Sequence, residues 1–253
     1  MQQTLKENLL SAMEITGLEI RKTSVYSSKR LRSRLLFSTL GIDLVLDVGA
    51  NTGQFGLHCR ALGYRGEIIS FEPVLDTHAK LLKAAAGDPL WIVADRMALG
   101  DTPGEVEINV AANSYSSSIL PMLDSHLAAS PVSEYIQKEK VPEVRLDDYL
   151  GDKALGRNSL LKLDVQGFEH QVLAGAPNFL AHAIAVQLEM SLVPLYQGET
   201  LMPEICKEMD AIGFGLWDME PAFRDPDTGR LLQVDGIFTR KSLDYEQCPH
   251  PTH

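Results

Sequence analysis

Val45-Leu46-Asp47-Val48-Gly49-Ala50-Asn51-Thr52-Gly53-Gln54 decides the fold of this 253-residue chain. The run 44–48 is apolar, short and rich in valine and leucine, the composition of a strand buried on both faces of a parallel sheet. Two glycines then break the chain, and helical spacing follows to about residue 62. A strand that passes through a glycine turn into a helix is the opening of a βαβ unit.

The same alternation continues downstream. Strands are expected over 67–71, 90–94 and about 106–111, with a helix over 75–86. Further strands are read over 160–165 and 183–189, and helices over 168–174 and 201–212. Two last strands, 215–218 and 234–239, flank the turn-rich Pro221 to Gly229 and should close the sheet as a hairpin. The segment 113–139 holds seven serines and two prolines and reads as a long loop, a lid or a substrate loop. Upstream, Leu5, Leu9, Ala12 and Met13 recur at helical spacing before Gly17, and a second helix is expected over 27–40. The expected organisation is a helical extension over 1–40 and one α/β domain over 41–253.

Composition narrows the function. Lys and Arg total 23 against 34 Asp and Glu, a formal net charge of -11, so nothing draws the whole molecule to nucleic acid. Residues 1–40 run against that trend, with seven basic and three acidic side chains. Lys29, Arg30, Arg32 and Arg34 form a basic helical stretch suited to an anionic membrane surface, or to a solvated helix face. Three cysteines, Cys59, Cys206 and Cys248, form no CxxC pair and suggest no disulfide framework or zinc cluster. A reduced, cytoplasmic protein is expected, since Lys6 and Glu7 interrupt any apolar N-terminal run and no stretch approaches a membrane span.

In an open parallel sheet, ligands bind at the carboxyl ends of the strands. Gly49 and Gly53 let the backbone approach a ligand, with Asn51 and Thr52 between them, and the next helix offers free N–H groups. Glu72 ends the strand 67–71, where an acid can accept two ribose hydroxyls. An adenosine-containing cofactor fits both. Position 51 is Asn, not the second glycine of a dinucleotide loop, and no phosphate-binding loop occurs in the chain. Asp47 would repel a pyrophosphate but suits an ammonium and a sulfonium. S-adenosylmethionine is therefore favoured over NAD, although a nicotinamide-dependent oxidoreductase and a non-catalytic module of the same fold are the competing readings.

At this point Val45 to Gly56, Ser70-Phe71-Glu72-Pro73, Ala98-Leu99-Gly100-Asp101, Arg145-Leu146-Asp147-Asp148 and Leu161 to Glu169 resemble the FkbM family of S-adenosylmethionine-dependent methyltransferases. The resemblance spans about residues 40–240. It implies a Rossmann-like class I methyltransferase fold: a seven-stranded, mostly parallel sheet with a C-terminal antiparallel hairpin and helices on both faces. It also implies O-methylation of hydroxyls on sugars of glycolipids or on polyketides, with S-adenosylhomocysteine as the product. Asp95 and Met97, after the third strand, stand where such folds contact adenine. Gln166 stands where the family commonly has Glu, so an acid or metal-ligand role is not carried over to it.

Methyl transfer needs the acceptor oxygen held in line and its proton removed. Asp164, at the end of the strand 160–165, is the first choice for base or positioning acceptor, with helix capping as its structural alternative. His170 and Glu189 are the further catalytic candidates, and Glu169 is expected to serve the helix dipole. Asp164, Glu169, Glu189 and His170 could ligate a divalent metal, but no HxxxH or DxD spacing asks for one, and metal independence is expected. The expected partner is a small-molecule or glycolipid hydroxyl acceptor, with a homodimer as an open alternative.

Overall fold

A computed structural model describes residues 22–243. The proposed helix around Leu5 to Met13, as well as Cys248, lies outside the described residues. The chain divides into two units, 1–36 and 37–253. A turn at Ser24 to Ser27 leads into the helix Lys29–Thr39, where Arg32 donates to the Val25 carbonyl at 2.7 Å. Lys29, Arg30 and Arg34 are exposed on this helix.

The second unit is built on strands β1 (Leu44–Val48), β2 (Glu67–Phe71), β3 (Trp91–Val93), β7 (Ser159–Leu163), β8 (Ala185–Ser191), β9 (Phe214–Arg224) and β10 (Leu231–Arg240). They form one seven-stranded sheet in the order β3-β2-β1-β7-β8-β10-β9. Pairings from β3 to β8 are parallel, and β10 runs antiparallel to both β8 and β9. All five residues of β1 and of β7 are buried, as a central parallel strand requires. Chain order reverses between β1 and β7. The connections that follow them therefore leave toward opposite faces of the sheet, and open α/β sheets hold ligands in the crevice between two such connections.

Alternation of side chains separates the two faces. Leu46, Val48, Phe71, Leu161, Leu163 and Leu188 pack into the main core with Val172, Leu173, Phe179, Ile205 and Met209, from the helices Glu169–Ala174, Pro177–His182 and Met202–Ala211. The register sets Ser70, Asp47, Lys162 and Gln187 side by side on the opposite face. The helix Gln54–Leu62 covers that face, with Phe55 over Lys162 and the Trp91 ring against Gly56.

The segment 113–139 departs from the expected loop. It contains a helix, Asp124–Ala129, and a 3-10 turn, Pro131–Ser133, and its last five residues begin β6 (Tyr135–Val144). This strand pairs with β5 (Gly104–Ala111) and β4 (Ala98–Leu99) in a second, three-stranded sheet. Its outer residues are charged and pair across the strands, Lys138 with Glu107 at 2.6 Å and Lys140 with Glu105 at 2.9 Å. Such a half-solvated ribbon lacks the apolar run by which strands are recognised. The helices Leu146–Leu150 and Pro177–His182 were also not expected, each being too short to show a period. Both closing strands run longer than expected because they pair over nearly their whole length.

Candidate active site

The site is assembled from the ends of β1, β2 and β7. After Val48 the chain turns inside Phe71, whose carbonyl accepts from Gly49 N–H at 3.1 Å and Ala50 N–H at 3.0 Å. Gly49 has φ 72°, and a Cβ there would overlap the Asp164 carbonyl oxygen. Only glycine lets these two strand ends meet. Asn51 is also left-handed, at φ 49°, and its N–H donates to Glu72 Oε2 at 2.8 Å. The other oxygen of Glu72 accepts from Val74 N–H at 2.9 Å and the Thr77 hydroxyl at 2.8 Å. Glu72 is thus buried and fastens the turn to β2. Burial pushes its pKa up, against those three donors and Lys162. Its Oε2 keeps a second lone pair for a hydroxyl.

Asp47 is fully buried beneath the turn. Ser70 donates to its Oδ2 at 3.3 Å, while its Oδ1 accepts no hydrogen bond among the described residues and lies 3.4 Å from Lys162 Nζ. Burial raises its pKa, and Lys162 opposes that rise. Asp47, read from the sequence as a cofactor contact, thus lies beneath the turn with Lys162 as its charge partner.

Lys162 is the residue that sequence reasoning missed. Its ammonium lies 3.4 Å from Asp47 Oδ1 and from Asp164 Oδ2, and donates to the Gly49 carbonyl at 3.2 Å. Burial disfavours its charge, but Asp164 and Asp47 outweigh that and hold it protonated above the ordinary lysine range. A lone cation inside Leu160-Leu161-Lys162-Leu163 was the available signal, since a buried lysine needs a partner.

Asp164 follows β7, and its side chain is 39% exposed. Gln166 donates to its Oδ1 at 2.9 Å and to Glu189 Oε2 at 2.5 Å, bringing these two sequence candidates into one cluster. Glu189 lies within β8, where burial and then Asp164, Glu169 and Asp235 push its pKa well up against the pull of Lys162. Glu169 accepts from Val165 N–H at 3.0 Å, and burial pushes it up to about 7. His170 is not brought to this cluster. Its Nδ1 pairs with Glu208 at 2.9 Å, and it lines an apolar cavity of about 520 Å³ with Leu173, Pro177 and Leu180. A residue one position further round a helix faces a different direction, which is why the neighbours Glu169 and His170 part company.

Asp95 is exposed after β3, near Tyr149, and Met97 packs against the main core. The serine-rich segment closes over the turn: Asn51 Nδ2 donates to the Ser114 carbonyl at 3.1 Å, Gln54 Nε2 to Tyr115 Oη at 3.3 Å, and Ser118 to the Gln166 carbonyl at 2.7 Å.

A family description, the methyltransferase FkbM domain, matches residues 47–216, a stretch that includes every residue of this site. The chain belongs to the FkbM methyltransferase family. Its methyltransferase domain is built on the seven-stranded sheet described above. One curated relative of this FkbM domain is the AMB antimetabolite synthetase AmbE of Pseudomonas aeruginosa, 26% identical over 204 residues, 68% of this chain and 10% of that protein. The chain therefore spans about a tenth of the length of that relative. Solved structures similar to it include the fibrillarin of Aeropyrum pernix with natively bound S-adenosyl-L-methionine (12% identity, TM-score 0.46, 83% of this chain and 74% of that one). Another is the 1,6-didemethyltoxoflavin-N1-methyltransferase of Burkholderia thailandensis with S-adenosylhomocysteine (12%, TM-score 0.43, 94% and 88%).

The residues fit the family's cofactor. Two acids at adjacent strand ends flank a left-handed turn, and one of their buried oxygens lacks a hydrogen bond. This donor set suits a cationic nucleoside better than a pyrophosphate, which would need backbone N–H groups free of carboxylates. Among the described residues no group of three or more His, Cys, Asp or Glu is arranged to hold a metal, and no helix is long and apolar enough to cross a membrane.

Proposed function

We propose that this methyltransferase transfers its methyl group to a hydroxyl, on a sugar of a glycolipid or on a glycosylated or polyketide metabolite. The observation that carries the reading is Asp164. It is a carboxylate left part-exposed at the end of β7, beside the cofactor turn, with Gln166 on one oxygen and Lys162 near the other. S-adenosylmethionine, when bound, supplies the methyl group and leaves as S-adenosylhomocysteine. Glu72 and the turn Gly49 to Gly53 hold the nucleoside, and Asp95 and Met97 flank its adenine. Asp164 accepts a hydrogen bond from the acceptor hydroxyl and takes its proton as the new oxygen–carbon bond forms. Most of the acceleration comes from holding the oxygen in line.

Glu189 supports Asp164 from β8, through Gln166. The segment over the turn, from Asn113 to Ser118, supplies hydroxyls suited to a polyhydroxylated acceptor. Lys29, Arg30 and Arg34 would meet an anionic lipid surface or a diphosphate-linked acceptor.

Asp164→Asn tests the reading. The variant should bind S-adenosylhomocysteine as the unchanged protein does and lose about 100-fold or more in turnover, the usual worth of a general base. The assay follows labelled methyl transfer across a panel of glycolipid and polyketide alcohols. Equal turnover by the variant on a working acceptor would remove Asp164 as the base.

A further inference from the structure

Gln166 is held in a conformation that its surroundings must impose. Its backbone takes φ 55°, a left-handed setting that a non-glycine residue keeps only where its surroundings hold it, and the residue is buried. All of its side-chain hydrogen-bonding groups are engaged. Nε2 gives one proton to Asp164 Oδ1 at 2.9 Å and the other to Glu189 Oε2 at 2.5 Å, and Oε1 accepts from the Tyr196 hydroxyl at 2.6 Å. The opposite amide orientation would turn a carbonyl oxygen toward two carboxylates, so the donors can face only one way. Its main-chain carbonyl accepts from Ser118, which ties the same residue to the segment over the turn.

Asp164 and Glu189 reach one small group from different strands. Like charges so placed repel, and in most proteins such a pair shares a proton or a cation. Lys162 reaches Asp164 Oδ2, and Gln233 Nε2 donates to Glu189 Oε2 at 3.1 Å, but among the described residues Gln166 alone hydrogen-bonds both acids. We propose that Gln166 is a positioning residue: its carboxamide stands where a bound cation would otherwise bridge Asp164 and Glu189, and by gripping Asp164 Oδ1 it aims that carboxylate at the acceptor. The inference rests on the reading of Asp164 given above for its second half.

The test is made on the full chain by thermal unfolding. Gln166→Glu exchanges the two donors for an acid facing two acids. Its melting temperature should fall by about 6–20 °C, the shift expected when a buried charge is left without a partner. Millimolar magnesium or calcium should recover most of that loss, and neither ion should move the melting temperature of the unchanged protein. The paired variant Gln166→Glu/Glu189→Gln removes one of the two acid–acid contacts and should recover about half of the loss with EDTA present. A single variant that melts with the unchanged protein, or is no more stable with calcium than with EDTA, overturns the proposal. So does a paired variant no more stable than the single one. If the single variant does not fold, recovery of folded protein in the paired variant supports the proposal, and its absence overturns it. No acceptor enters this assay, so its failure and a failure of the Asp164→Asn test are separate results.

Discussion

Lys162→Met removes the one buried cation between Asp47 and Asp164 while keeping the length of the side chain. Asp47, fully buried, is the partner that suffers, since Ser70 would be its remaining side-chain donor. Breaking a buried pair from one side costs about 3–5 kcal/mol. In a domain of this size that lowers the melting temperature by about 6–20 °C. The pH dependence gives the sharper check. The Asp47 pKa is already raised by burial even with Lys162 beside it, and losing the lysine raises it further. A carboxyl whose folded pKa exceeds its unfolded one keeps a proton on folding, so its burden on stability is absent at low pH and grows as pH rises through that interval. The deficit of the variant should therefore be smaller at pH 5 than at pH 8. Urea unfolding followed by the fluorescence of the buried Trp91 measures it at both values. The double variant Lys162→Met/Asp47→Asn should regain much of the loss, because an uncharged pair carries little desolvation cost. A deficit below about 1 kcal/mol, or one equal at both pH values, would refute the ion-pair account.

Three other expectations follow from the same geometry. Gly49→Ala places a Cβ on the Asp164 carbonyl oxygen at φ 72°, so the β1 and β7 ends must part; S-adenosylhomocysteine binding should disappear in calorimetry, and undiminished binding would show that the strands need not meet there. Glu72→Ala leaves the Asn51 and Val74 N–H groups and the Thr77 hydroxyl without their acceptor, and should weaken S-adenosylhomocysteine by about tenfold or more while lowering the melting temperature. Glu169, pushed up to about 7 from 4.5, holds a proton in the folded state that the unfolded chain releases, so stability falls by on the order of 3 kcal/mol as pH rises from about 4.5 to 7. Glu169→Gln should flatten that part of the stability curve, and parallel curves for the two proteins would assign the slope elsewhere.

The sheet was legible because parallel central strands bury both faces and so announce themselves as apolar runs, as 44–48 and 160–163 do. The turn from Gly49 to Gly53 was equally readable, since its geometry is local and glycine marks it. β6 was not, because a strand with a wetted face spends its residues on cross-strand charge pairs such as Lys138 with Glu107. The C-terminal hairpin was read in kind but not in length, which pairing partners set.

Within the site, local chemistry named Asp47, Glu72 and Asp164 from their places at strand ends. It could not tell that Asp47 would be sealed beneath the turn, nor that His170 would swing to Glu208. It passed over Lys162, whose meaning depends on acids 115 positions before it and two after it in the sequence. It set Gln166 aside as a departure from a pattern, although Tyr196 and Glu189, brought in by other elements, engage every polar atom of its side chain. A single sequence thus determined which strand ends carry acids and where the backbone must turn, because those properties are local. Which acids are neutralised, and by which donor, was decided by tertiary structure alone, because charge pairing depends on distances that only the folded sheet creates.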